Sequence, residues 1–126
     1  MIEIIEMCER FEPVGSRITC NPPPTDTDED FLCLVSADKF NEFFNLICQD
    51  YELGGSVPFN EKDICSDECF SSFTKGTTNI IATASQVFFD KFMIATNEAK
   101  RLNLLEKADR ISLFQSILYG NEVTNV

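Results

Sequence analysis

An α/β fold of the α+β kind, a small mixed sheet with helices packed against it, is predicted by three features of the sequence. Phe31-Leu32-Cys33-Leu34-Val35 is a continuous apolar run bounded by polar residues, the pattern of a central strand covered on both faces. Apolar residues recur at helical spacing over residues 38–51 and again from residue 88 to residue 118. Between these, residues 70–74 and 77–83 flank Lys75-Gly76 as the arms of a hairpin that extends the sheet.

Taken in order, Ile4, Ile5, Cys8 and Phe11 predict a short N-terminal helix within residues 2–11, ended before Pro13. Asn21-Pro22-Pro23-Pro24-Thr25-Asp26 is a stiff extended loop, because three prolines remove backbone donors and fix φ. Phe40, Phe43, Phe44, Ile47, Cys48 and Tyr51 form the wide apolar stripe of the 38–51 helix, with Ser36 as cap and Gly54-Gly55 as stop. Residues 54–69 are mixed and acidic and read as a loop, with a short strand near 57–59. Ser85 caps a helix whose buried face is Phe88, Phe89, Phe92, Met93, Thr96, Ala99 and Leu102. A second helix aligns Leu105, Ala108, Ile111, Gln115 and Leu118 and stops at Gly120-Asn121.

The 126 residues suit one domain, 1–126, whose 44% apolar content can bury a core without disulfides or metal. A net charge of −11 argues against direct binding of a nucleic-acid backbone, which needs broad neutralisation by Lys and Arg. A small nucleotide carried by metal ions remains compatible. The start of the chain has neither the basic residues nor the apolar run of a secretory signal, and no segment approaches the roughly 20 apolar residues of a membrane span. A cytoplasmic protein without membrane attachment is expected, with its six cysteines reduced and mostly buried. Cys65 and Cys69 have the wrong spacing for half a zinc site, and His is absent, which also excludes His-based catalysis.

The chemistry concentrates in Asp26-x-Asp28-x-Asp30, which runs into the apolar strand. Alternate residues on a strand point the same way, so Asp28 and Asp30 present carboxylates about 6–7 Å apart on one face. Mg²⁺ favours such oxygen ligands and binds through one or two carboxylates plus substrate phosphates. The bland alternative is a solvated acidic turn capping a strand. Calcium is a third reading, since the three aspartates match positions 1, 3 and 5 of an EF-hand loop. It fails further along, where Phe31 stands for the glycine and Ala37 for the bidentate glutamate.

Gly15-Ser16, then 11 residues, then Asp28-Glu29-Asp30 opening a strand resembles the polymerase-β-like nucleotidyltransferase superfamily, whose signature is Gly-Ser after a short strand, a loop, and Asp-x-Asp. Arg17 fits the Gly-Ser-Arg form of its minimal members. Residues 92–119 look similar to small phage-encoded relatives. The resemblance implies Mg²⁺ held by Asp28 and Asp30 as the catalytic carboxylates, with Gly15, Ser16 and Arg17 around the phosphates of a nucleoside triphosphate. The implied reaction is transfer of a nucleoside monophosphate to an unknown hydroxyl acceptor. Larger relatives carry an added helical domain for the acceptor, so a separate protein partner or a homo-oligomer is expected here.

Two positions depart from the family pattern. A third carboxylate, which ligates metal and can deprotonate the acceptor, is usual on a later strand, and the matching place here is Asn79. An amide offers an oxygen without charge and is a poor base. Asp26 is a candidate substitute from the loop. Glu29 stands where an apolar residue is usual and is expected to face away from the metals. Lys75, with Lys107 and Arg110, is a candidate contact to phosphate or acceptor, although exposed basic residues are more often simply solvated. Three functions remain open: a Mg²⁺-dependent transferase, a catalytically impaired nucleotide-binding or protein-interaction module, and an acidic interaction protein with no ligand site.

Overall fold

The computed structural model describes residues 1–25, 28–54 and 70–119. Along the chain run α1 (Ile2–Glu6), β1 (Arg10–Val14), α2 (Ser16–Thr19), β2 (Glu29–Leu34), a 3₁₀ turn (Ala37–Lys39), α3 (Phe40–Ile47), β3 (Glu52–Leu53), β4 (Ser71–Lys75), β5 (Thr78–Thr83), α4 (Gln86–Leu102) and α5 (Lys107–Tyr119). The five strands form one mixed sheet in the order β1-β2-β5-β4-β3. β2 and β5 are parallel, and every other neighbouring pair is antiparallel. The predicted mixed sheet with helices against it is therefore what the chain forms.

Side-chain alternation divides the interior into two layers. On one face Val14, Leu32, Leu34 and Ile81 pack against Phe88, Phe89, Phe92, Ala95, Phe114 and Leu118 of α4 and α5. On the other, Cys33, Val35, Phe73, Ile80 and Ala82 pack against Ile4, Phe43, Ile47 and Tyr51. Covering on both faces explains why β2 reads as an unbroken apolar run: Leu32 and Cys33, pointing opposite ways, are both 0% exposed. The phenylalanines interlock, with Phe92 edge-on to Phe114 at 5.0 Å and Phe43 edge-on to Phe73 at 6.2 Å between ring centres.

Most elements match their sequence patterns. Ser85 caps α4 by accepting a hydrogen bond from the Phe88 N–H at 3.1 Å. The hairpin turns at Gly76, whose φ of 60° lies in the left-handed region that glycine adopts without steric cost. Three expectations are corrected. Leu102, expected on the buried face of α4, and Leu105, expected on the stripe of α5, are 47% and 52% exposed, and Leu105 precedes α5. The N-terminal helix stops at Glu6, because Arg10–Val14 pairs with β2 and the helical spacing of Cys8 and Phe11 is overridden by strand pairing. The 38–51 helix shortens to Phe40–Ile47 after a 3₁₀ turn, and Ser36 donates its hydroxyl to Asp38 at 2.8 Å instead of capping backbone N–H groups. The strand expected near 57–59 and the stop at Gly120-Asn121 lie outside the described residues. Among the described residues no helix is long and apolar enough to cross a membrane.

Candidate functional site

The end of the sheet where β1 finishes and β2 and β5 begin collects the residues singled out by the sequence. Val14, the last residue of β1, is paired with Asp30. Asp30 is in turn paired with Asn79 across the parallel β2–β5 ladder. Register partners share a face, and the face here is that of Leu32 and Ile81, toward α4.

Asn79 ties the acidic pair together. Its Nδ2 donates to Asp28 Oδ2 at 3.0 Å and to Asp30 Oδ1 at 2.9 Å. Both carboxylates therefore converge on a single nitrogen, and the N–H groups supply the partial positive charge that two neighbouring anions need. Burial pushes the Asp30 carboxyl above the ordinary carboxylate range. The Asn79 hydrogen bond opposes that rise, the Asp28 charge adds to it, and Arg17 opposes it. Asp28 is exposed and Asp30 only partly so, which leaves the pair open to solvent on its outer side.

Gly15 closes the site from the β1 side. Its φ of 86° and ψ of −176° fall in a region that glycine occupies almost alone. A Cβ built there would overlap Asp30 Oδ2 and come within 3.0 Å of both the Cβ and the Cγ of Asp30. The glycine is thus required twice, once by its backbone angles and once by the carboxylate lying against it. Ser16 follows directly as the first residue of α2. Arg17 Nη1 stands 3.9 Å from Glu29 Oε2, and both side chains are about half exposed, so the pair is a loose surface contact. Glu29 is exposed, as expected of a surface acid at a strand edge.

Lys75 is not brought to this cluster. Alternation along β4 puts it on the face of Phe73, opposite to that of Asn79, where its ammonium binds Asp50 and lies 5.7 Å from the centre of the Tyr51 ring. Arg110 also has a local task. Its Nη1 donates to the carbonyls of Leu104 and Leu105 at 3.0 and 2.8 Å and reaches Cys20 Sγ at 3.3 Å. Asp26 lies outside the described residues.

Sequence reasoning missed a contact that anchors the Pro-rich loop. Asn103 ends α4 in the left-handed conformation, accepts from Asn21 N–H at 2.9 Å and donates to Asn21 C=O at 3.0 Å. The signal available was Asn103 directly before the apolar pair Leu104-Leu105, at the end of the helical stripe.

The donor set can be judged against Mg²⁺. Among the described residues no three or more His, Cys, Asp or Glu side chains converge as a metal site. Two carboxylates meet the minimum for a cation that arrives with phosphate oxygens, and fall short of a resident ion held by protein alone. Asn79 presents nitrogen to the pair, and a half-turn of its amide exchanges that nitrogen for oxygen. Comparison with protein-family models, with curated proteins and with solved structures returned no match.

Proposed function

We propose that the chain binds the phosphates of a nucleoside triphosphate through Mg²⁺ at Asp28 and Asp30, beside the Gly15-Ser16 turn, and transfers nucleoside monophosphate to a hydroxyl acceptor only slowly. One observation carries the reading: two carboxylates on the leading end of a central strand converge on one atom while a glycine backbone runs against them. Bound there, Mg²⁺ would supply charge neutralisation for a triphosphate that a protein of net charge −11 otherwise repels. Asp28 and Asp30 would hold the ion, Gly15 would leave room for the Asp30 carboxylate against the backbone, and Ser16 and Arg17 would lie at the edge of the phosphate site. Asn79 is the reason for slow transfer. It carries no charge to ligate a second ion firmly and cannot take a proton from the acceptor.

A second reading, a module that binds nucleotide or protein without turnover, is favoured by the direction of the Asn79 amide, which already satisfies both acids with N–H donors. A reducing, cytoplasmic setting and an acceptor delivered by a partner or a second copy complete the proposal.

The test is calorimetric titration with each common nucleoside triphosphate, with and without Mg²⁺, beside transfer of a labelled triphosphate. Wild type should bind only with Mg²⁺, and Asp28→Ala or Asp30→Ala should abolish that dependence. Nucleotide binding indifferent to Mg²⁺ and to both aspartates would sink the site. Rapid wild-type turnover insensitive to Asn79 would sink the explanation for slow transfer.

A further inference from the structure

α4 buries one side and leaves an ordered pattern on the other. At about 100° per residue, Phe88, Phe92, Ala95 and Ala99 fall together on the side that packs against the sheet and α5. Val87, Ile94 and Leu102 fall within about 80° of one another on the opposite side, along about 22 Å of helix. They are 48%, 54% and 47% exposed.

Charges frame this apolar line. Lys91 and Glu98 stand on the flank that carries Leu102, and Asp90 and Arg101 stand on the other. Local bonds hold these side chains: Arg101 donates twice to Glu98 at 2.9 Å, Gln86 donates to Asp90 at 2.9 Å, and Lys91 Nζ reaches the Leu118 carbonyl at 3.5 Å. Two acids and two bases cancel, so the outer side of α4 is a neutral strip on a chain of net charge −11. The like-charge repulsion that keeps copies of such a chain apart is locally offset there.

We propose that this side of α4 is a self-association surface, on which a second copy of the chain packs its own α4 antiparallel about a two-fold axis beside Ile94. Such an axis sets each flank against the same flank of the second copy, running the other way. Counting from Ile94, Lys91 then meets Glu98 of the second copy, Asp90 meets its Arg101, and Val87 meets its Leu102. Symmetry repeats each contact, so four opposite-charge pairs flank a line of apolar side chains. A parallel pair would instead set Leu102 against the charged flank, with nothing apolar opposite it. The order of charges along the helix is thus self-complementary, which a second copy requires and a merely solvated face does not. One helix pair covers less than the roughly 800 Å² per partner of a standard interface, so the dimer is reversible and depends on concentration. The surface faces away from the sheet that carries Asp30 and Asn79 and is independent of what they bind.

Sedimentation velocity of the full chain, in reductant at near-physiological salt over a dilution series, tests the surface. Wild type should pass from monomer to dimer as concentration rises. Ile94→Asp, which sets two carboxylates beside the axis, should stay monomeric, with its helices intact by circular dichroism because position 94 is exposed. Lys91→Glu and Glu98→Lys should each weaken dimerisation about tenfold, since each turns a pair that occurs twice into a repulsion. Mixed one to one, these two variants should dimerise as wild type does, because each offers the other the missing opposite charge. Wild type that stays monomeric throughout, Ile94→Asp that dimerises like wild type, or a mixture no better than its components would overturn the proposal.

Discussion

Asn79 and Asp30 are register partners on adjacent parallel strands, and the Asn79 amide nitrogen lies 2.9 Å from Asp30 Oδ1. The same nitrogen also serves Asp28. Replacing it with a carboxylate removes both donors and adds a third negative charge. Asn79→Asp should therefore lower stability in chelator by about 1–3 kcal/mol, toward the low end because the site is partly open. Mg²⁺ should restore more stability to the variant than it adds to wild type. Thermal melts with and without Mg²⁺ read the first effect. If the geometry survives, transfer of a labelled triphosphate should rise, within the 10²–10⁴-fold typically contributed by a general base.

Gly15→Ala tests the glycine that lies against Asp30. Its backbone region costs about 1–3 kcal/mol for any side chain, and the added methyl overlaps the Asp30 carboxylate besides. Denaturant unfolding should show a loss at the upper end of that range. Mg²⁺-dependent nucleotide affinity should fall even where the variant is fully folded, because the carboxylate must move.

Asp30 predicts a pH dependence of definite sign. Burial raises its folded value above the unfolded value of about 3.9, so the native state holds the proton longer. Its contribution to stability is fully present below the unfolded value and is lost as pH rises through the folded one. Urea melts across pH 3–7, as rough bounds around the carboxylate range, should show wild type losing stability relative to Asp30→Asn as pH increases. A difference independent of pH would contradict the burial of this carboxyl. If the proposed site holds a cation, its binding should run the other way, weakening on acidification at a higher pH than an ordinary aspartate would allow.

Asn103 separates a hydrogen-bond effect from a backbone effect. Asn103→Gly keeps the left-handed conformation and loses both bonds to Asn21, whereas Asn103→Ala loses the bonds and adds strain at φ 49°. Glycine should cost about 1–2 kcal/mol and alanine about 1 kcal/mol more by denaturant unfolding. Equal losses would mean that the helix end relaxes.

The sheet, the hairpin and α4 were legible because each rests on a local period: the run at residues 31–35, the turn at Gly76, the stripe through Phe88, Phe89 and Phe92. The stripe expected along α5 was legible only in part, since Leu105 precedes the helix and Ala108 and Gln115 are exposed, while the helix buries Phe114 and Leu118. β1 was not legible from its own residues. Arg10-Phe11-Glu12-Pro13-Val14 has too few apolar positions to declare a strand, and only the Gly-Ser resemblance implied one there. Asn79 was visible as an amide where the resemblance implies an acid, but its bonds to both aspartates depend on the β2–β5 register, which no local pattern encodes. Lys75 illustrates the reverse case: its side of the sheet follows from counting by twos along β4, and that count needs the pairing to be known first. The Asn21–Asn103 latch joins a loop and a helix end 82 residues apart, beyond any window of periodicity.

The Asn79–Asp30 bond also bears on how the chain comes together. It spans 49 residues, whereas the β4–β5 hairpin and the α4–α5 pair close over short stretches and gain their contacts with little loop entropy to overcome. Asp28 and Asp30 are local to each other and are juxtaposed as soon as their strand extends. The amide that joins them arrives only when β5 docks. In a chain emerging N-terminus first, at typical elongation speeds, the two carboxylates precede their partner by roughly 3–10 s. During that interval any divalent ion meets the acidic pair with no amide between them, so cation present during synthesis and cation added to the finished fold encounter two different ligands.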